Sequence, residues 1–383
     1  MSHVHVCLVS EQTIPNILSI YHFKPDKVIF CTTEKMEHQK RTDAIINTLK
    51  LYGIDYEGAQ YHERIIVDQD CLDDCELKLA EAAKNYKSDE VVVNLTGGTK
   101  IMVLAAYNSF KPIAKRMIYT PIPKNEFITV FPKNDSCKSP VPYDLRLSVE
   151  AYVTAYGVKV ENRRKIQELK NNADSNTDLC KWMAHHYRKI ENLMFEFYKC
   201  LHDHRGEKNY RLQMTYSPKN IEENELLQKL GMTNGKIDKT LMKNKIKFLT
   251  GDWLSDYCYN EIAALSVDDC ITGIKLISPK GVDNEFDVMF TKDNALYIVE
   301  CKSLSSREEK YQDFLYKISA LQQDFGLRVN GFMISTTRDI LTNDDKIKPH
   351  IIKRAEQCST KVIHPNEISN VNAFIKTHIK GLN

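Results

Sequence analysis

No stretch of this chain is long and apolar enough to span a bilayer, and its opening residues, MSHVHVCLVS, lack the charged start and long apolar run of a secretion signal. Neither a membrane role nor export is expected. The eleven cysteines supply no disulfide framework: they are odd in number, scattered, and mostly set in apolar runs, as at Cys7, Cys31 and Cys301, where a reduced cysteine acts as a small hydrophobe. Cys71 and Cys75 form a pair, but no second pair follows at zinc-site spacing, so they read as structural. A reducing, cytoplasmic setting fits these absences. Charge of one sign is also lacking. The net value is only +2, so contact with nucleic acid must come from a local patch or a metal site rather than from the field of the whole molecule. No internal repeat or low-complexity tract is present.

What is present is material for more than one core: 383 residues, 42% of them hydrophobic, predict two domains and a connector. The first third alternates strand-like and helix-like stretches. Strands are expected at Val4–Ser10, Lys27–Cys31, near Tyr56–Tyr61 and at Glu90–Leu95, with helices at Ile14–Tyr21, Met36–Leu51 and Leu72–Tyr86. Val91, Val92 and Val93 are continuously apolar, the mark of a strand covered on both faces. The expected fold is α/β: a doubly wound, Rossmann-like domain over residues 1–145, closed by a hairpin at Met117–Pro121 and Glu126–Phe131. Pro132–Pro142 reads as a linker and Leu145–Tyr156 as a short helix stopped at Gly157. Residues 146–247 read as a charged, mainly helical connector or a degenerate winged helix. Its lysine-rich stretch Lys236–Lys247 can touch phosphate, although a solvated face is the plainer reading. Residues 248–383 return to α/β: helix Trp253–Leu265, strands Gly273–Ile277, Glu285–Phe290 and Leu296–Cys301, helix Arg307–Phe325 and strand Val329–Ser335.

Two constellations carry chemistry. In NEFDVMFTKDNALYIVECKS, a polar turn joins two strands, so Asp287 on the first faces the end of the second. Glu300 and Lys302 are two apart and leave the same face, while Cys301 points the other way. Such carboxylates suit Mg²⁺ or Mn²⁺, with the Cys301 carbonyl completing the shell and Lys302 placed to stabilise phosphoryl charge or orient water. An edge strand with alternating charge would look similar. Against it, the triplet closes the apolar run Leu296–Val299, where idle charge is expensive. The second constellation is NLTGGTK, at the end of the most apolar strand and running into a helix. Its glycines let backbone amides meet an anion, helped by Thr96, Thr99 and Lys100. It has neither Walker A nor G-x-G-x-x-G spacing, and a tight turn with a capping threonine remains open.

The C-terminal residues resemble the PD-(D/E)xK, restriction-endonuclease-like superfamily, over Gly251 to about Ser335, through a W-L-x-[ED] helix, N-E-x-D, E-C-K and the downstream Tyr316–Lys317 helix. That resemblance implies catalytic roles for Asp287, Glu300, Lys302 and the upstream Asp256, with Asp287, Glu300 and Cys301 at the metal. Asp256 stands where relatives usually carry Glu, with Glu261 nearby, and Leu327 replaces a glycine often seen after Gly326. NLTGGTK together with SEQTIPN resembles the CRISPR-associated Rossmann fold (CARF) domain. It implies that Ser10, Gln12 and Thr13 meet a cyclic oligoadenylate from one side, and Thr96, Gly97, Gly98, Thr99 and Lys100 from the other. The order of the two modules is that of the ancillary nucleases of type III CRISPR systems. The implied protein is a homodimer that binds cyclic tetra-adenylate as activator and cuts DNA, single-stranded RNA or both in antiviral defence. A non-enzymatic, nucleotide-responsive DNA-binding regulator and a ring-cleaving phosphodiesterase are the alternatives. The first needs no Asp287–Glu300–Lys302 set, and the second leaves it unexplained.

Overall fold

The structure, a computed structural model, describes residues 2–132, 140–278, 281, 283–303, 315, 325–326 and 329–382. The first sheet is parallel over β1 (His3–Leu8), β2 (Lys27–Thr32), β3 (His62–Ile66), β4 (Glu90–Asn94) and β5 (Ala114–Tyr119), in the order β3-β2-β1-β4-β5. Antiparallel β6 (Glu126–Phe131) and β7 (Val141–Pro142) extend it. Its helices are α1 (Ile14–Phe23), α2 (Glu34–His38), α3 (Arg41–Lys50), α4 (Leu72–Lys84) and α5 (Lys100–Phe110). The doubly wound expectation holds, and Val91 to Val93 are buried on both faces as their apolar run requires.

Two local expectations fail for identifiable reasons. The single helix over Met36–Leu51 is two, because Lys40 takes the left-handed conformation (φ 54°) and breaks the hydrogen-bond ladder between α2 and α3. The strand near Tyr56–Tyr61 begins only at His62. Gly58 (φ 102°) opens a turn in which the amides of Tyr61 and His62 both donate to its carbonyl.

After the first sheet comes α6 (Val149–Ala155), capped by Ser148, whose hydroxyl accepts from the Ala151 amide; Gly157 (φ 80°) follows its end. The middle stretch contains β8 (Lys159–Val160), α7 (Ile166–Ser175), α8 (Thr177–Leu201), β9 (Asn209–Tyr216), α9 (Ile221–Lys229), β10 (Gly235–Met242) and α10 (Lys243–Lys247). The antiparallel β9–β10 pair departs from the helical expectation. Leu212 and Tyr216, like Ile237 and Leu241, are buried four residues apart, a spacing that also suits one face of a helix and so hides the strands. The last part holds α11 (Trp253–Ala263), β11 (Asp269–Ile277), β12 (Asp283–Lys292), β13 (Ala295–Lys302), β14 (Val329–Ser335), α12 (Pro349–Gln357), β15 (Thr360–Val362) and α13 (Val371–His378). Its sheet runs β15-β14-β13-β12-β11-β8. The predicted Arg307–Phe325 helix, with Tyr316, Lys317 and Leu327, lies outside the described residues apart from Leu315 and Phe325, which are helical. No helix among the described residues is long and apolar enough to cross a membrane.

The connector is not a spacer. β8 forms the edge of the second sheet, and α7 and α8 share one apolar core with α11 and with Val288, Val299 and Phe332 of that sheet. A second core joins the two large sheets, running from Cys7 and Phe30 through Tyr152 and Val153 of α6 to Phe286, Ile298 and Met333. The tip of the β12–β13 hairpin is tied into it. Asp293 and Asn294 both take positive φ (51° and 56°), the form of a two-residue hairpin turn. The fully buried Asn294 side chain accepts from the Leu147 amide at 2.7 Å. It also donates to the Leu145 carbonyl at 3.0 Å and to Asn125 at 3.1 Å. Arg146 reaches Asp293 at 3.1 Å.

Asn294→Gly keeps the turn conformation but strands the Leu147 amide and the Leu145 carbonyl. At roughly 1 kcal/mol net for each lost bond, and more for a stranded group, it should destabilise the chain by about 2–4 kcal/mol in denaturant titrations. An unchanged midpoint would show that the turn is not the tie between the sheets.

Candidate active site and ligand loops

The β12–β13 register pairs Val288 with Val299, so one step further Asp287 lies opposite Glu300. The Cys301 amide donates to Asp287 Oδ2 at 2.8 Å, which fixes the carboxylate at the mouth of the hairpin. Lys302 Nζ donates to Glu300 Oε1, and Glu300, only 8% exposed, keeps its other oxygen, Oε2, buried without a partner among the described residues. The sequence expectation that Asp287, Glu300 and Lys302 share one place therefore holds in the geometry. Electrostatics follows. Burial, then the Glu300 charge, pushes the Asp287 carboxyl well above the ordinary carboxylate range. Burial works against the Lys302 ammonium, yet Glu300 and Asp287 outweigh it and hold its pKa above the usual value. The Cys301 thiol faces away, against Cys258, and burial raises it strongly.

Asp256 stands apart from this set. It lies in the first turn of α11 and accepts from Asn176 Nδ2 at 2.9 Å; burial, followed by the Asp252 charge, raises its pKa to about 6. A second upstream carboxylate, Asp252, adds a small charge effect at Asp287 and pairs with Arg205 at 2.7 Å. The sequence signal for Asp252 was the neighbouring GDWLSD carboxylate four residues ahead of Asp256. Gly251, at φ 141°, turns the backbone just before it. Asp252, Asp256 and Asp287 line one cleft of about 930 Å³ between α7, α10, the start of α11 and the β11–β12 pair. Glu261 pairs with Lys181 at 3.4 Å and is not part of that lining. Among the described residues no three His, Cys, Asp or Glu side chains gather tightly enough to ligate a metal by themselves, so a cation here would rest on Asp287 and Glu300.

The second site lies where the strand order reverses, between the C-terminal ends of β1 and β4, the usual place for a ligand crevice in a doubly wound sheet. The glycines are there for space. A Cβ on Gly97 would fall 2.0 Å from the Leu8 carbonyl oxygen, and Gly98 has φ 72°. Thr99 caps the eleven-residue α5, accepting from the Met102 amide at 3.3 Å, and Lys100 stands exposed at its first turn. This helix start favours an anion. Ser10 and Gln12 are half-buried on the facing loop.

Two threonines are otherwise engaged. Thr13 is fully buried and donates to the Ala155 carbonyl at 2.6 Å, so a ligand contact for it is corrected to a tie between the first loop and α6. The Thr96 hydroxyl donates to Asn94 Oδ1 at 2.5 Å and accepts from the Thr120 amide at 2.9 Å. Sequence reasoning passed over Asn94. Its amide also donates to Asn16 and to Ser19, each at 3.0 Å, and Asn16 donates to the Leu8 carbonyl at 2.9 Å, so one buried network holds both loops.

The Asp256 carboxyl carries a pH consequence. Its pKa lies higher in the folded chain than in the unfolded one, so the native state binds the proton more tightly. Stability is then lost as pH rises from about 4 to 6, by up to about 3 kcal/mol. Asp256→Asn should flatten that part of the stability–pH curve in chemical denaturation. Parallel curves for the variant and the wild type would show that Asp256 keeps an ordinary pKa.

No curated protein sequence matches this chain. Among solved structures, the protein VC1899 of Vibrio cholerae superposes with a TM-score of 0.80 at 18% identity over 98% of each chain. Can2 of Sulfobacillus thermosulfidooxidans, solved with cyclic tetra-adenylate, superposes with 0.73 at 19% identity, over 97% of this chain and 98% of its own. These show a shared fold along almost the whole length. The Card1 CARF domain family matches residues 4–152, and the Card1-like endonuclease domain family matches residues 242–381. The chain is thus a CARF domain of the Card1 type joined to a Card1-like endonuclease domain.

Proposed function

We propose that this protein is a metal-dependent nuclease switched on by a cyclic oligoadenylate, cyclic tetra-adenylate in particular, in type III CRISPR defence. The observation that carries the reading is the meeting of Asp287, Glu300 and Lys302 at the end of one hairpin, within a domain of an endonuclease family. A regulator that only binds DNA has no use for a buried carboxylate pair under mutual repulsion. The Can2 neighbour, which holds cyclic tetra-adenylate, supports the choice of activator.

Asp287 and Glu300 fit a divalent cation, since the orphaned Oε2 of Glu300 and the raised Asp287 carboxyl are both relieved by positive charge. When bound, Mg²⁺ or Mn²⁺ supplies Lewis-acid activation of water and neutralises charge on the phosphoryl oxygens. Lys302, kept protonated by both carboxylates, places an ammonium where the pentacovalent phosphate builds charge. On the ligand side, the backbone amides of Gly97 to Thr99 and the Lys100 ammonium face the ring phosphates. A ring with its own two-fold axis fits a homodimer that presents the same loop twice.

Cleavage of labelled DNA and RNA in the presence of cyclic tetra-adenylate should vanish in chelator and return with Mg²⁺ or Mn²⁺. Glu300→Ala and Asp287→Ala should each reduce it at least about a hundredfold while ring binding persists. Wild-type rates in either variant would put the chemistry elsewhere. Gly97→Ala, which forces a methyl onto the Leu8 carbonyl, and Lys100→Ala should raise the activator concentration needed without changing the rate at saturation. Calorimetric titration should count one ring per two chains; one ring on a monomer would end the dimer proposal.

A further inference from the structure

The cleft that ends at Asp287 has a basic wall contributed by the middle stretch. Lys243, Lys245 and Lys247 of α10 line it, with Lys165 from just before α7 on the opposite side. The other cations of the lining are already matched, Arg205 to Asp252 and Lys275 to Glu285 at 3.3 Å. The four lysines have no ion pair among the described residues, and the remaining carboxylates that face them are Glu161, Asp256 and Asp287. Lys245 is half-buried, its ammonium 4.5 Å from the Phe248 ring centre, so its charge is held at the wall rather than released to solvent. Ile246 anchors α10 in the core, which fixes the lysines beside it relative to the hairpin. Four ammonium groups without an ion pair among the described residues thus line one groove, and a chain of phosphates would match their charge.

We propose that Lys165, Lys243, Lys245 and Lys247 form a phosphate track that leads a nucleic-acid backbone into the hairpin site. Resting on the nuclease reading, this gives the middle stretch a substrate-positioning role and makes these lysines positioning residues. The contacts are to phosphate, so they set affinity and register without reading sequence.

The test uses the full chain with cyclic tetra-adenylate and Mn²⁺, on single-stranded DNA, single-stranded RNA and duplex of one sequence. Lys165→Ala, Lys243→Ala and Lys247→Ala are combined in one variant. A control variant combines Lys84→Ala, Lys236→Ala and Lys353→Ala, three exposed lysines outside the cleft. On the strand that the wild type cuts, the cleft variant should raise KM at least tenfold with kcat changed less than threefold. Its salt dependence should flatten too, by about 0.7 in the log–log slope per lost phosphate contact, or about 2 in total. A parallel readout needs no cleavage: fluorescence anisotropy of labelled single strands in the Glu300→Ala background, with and without the three cleft substitutions. If the wild type cuts nothing, the nuclease reading fails while the anisotropy still tests the track. KM, salt slope and affinity equal to those of the control variant would overturn the proposal.

Discussion

The arrangement of the whole chain depends on the burial of the segment from Tyr143 to Val158 between the two large sheets. Tyr143, Leu147, Val149, Ala151, Tyr152 and Val153 are essentially without solvent exposure, and one apolar core continues from the first sheet through them to the second. On the first sheet's side the segment packs against α1 and α3, whose Ile17, Leu18, Ile45 and Leu49 belong to the same core, so separating the domains would expose apolar surface on both. Polar contacts then set the register of this packing. Thr13 and Gln12, from the first ligand loop, bond to Ala155 and Tyr156 at the end of α6. Asn294, from the catalytic hairpin, bonds to Leu145 and Leu147 before its start. The loop facing a nucleotide and the turn joining Asp287 to Glu300 thus hold opposite ends of one short segment. Gly326 closes the arrangement: a Cβ there would fall 2.4 Å from the Tyr156 hydroxyl.

The nuclease site shows why fold and chemistry pull against each other here. A hairpin with Val288, Val299 and Phe290 at zero exposure is built to exclude water, yet it ends in two carboxylates. Lys302 offsets part of their repulsion, and the Cys301 amide offsets part of the desolvation of Asp287. The sum still leaves Asp287 hard to ionise and one Glu300 oxygen unpaired among the described residues. A purely structural hairpin would gain by replacing these groups with apolar ones. Under the proposed function, a cation bound beside Asp287 and Glu300 would relieve that repulsion.

Much of this was legible in the sequence because period and composition agreed. The continuous Val91–Val93 run marked a central parallel strand, and E-C-K after an apolar run marked the strand end that meets Asp287. The parts that were not legible share a cause: the deciding interaction is long-range or rests on one backbone angle. Lys40 carries no sign of a left-handed angle in its side chain, so the break between α2 and α3 was hidden. The β9–β10 pair has buried positions four residues apart, a spacing that also suits one face of a helix. Asp252 went unmarked because its approach to the Asp287 cleft depends on the turn at Gly251, which no side chain announces.

The ligand loops make a further point about which groups can recognise an anion. Threonine hydroxyls in a glycine-rich turn suggest ligand donors, but Thr96 and Thr13 spend theirs on Asn94 and Ala155. Thr99 donates to the Gln69 carbonyl at 3.0 Å while capping α5. With these hydroxyls turned inward, the α5 N-terminus, the glycine amides and Lys100 are the groups of this loop left to meet the proposed anion. Amides held by a buried network are already oriented, so little ordering is needed when a phosphate arrives. The Asn94 network and the close approach of Gly97 to Leu8 are two halves of one device: the first fixes the loops, and the second removes the side chain that would push them apart.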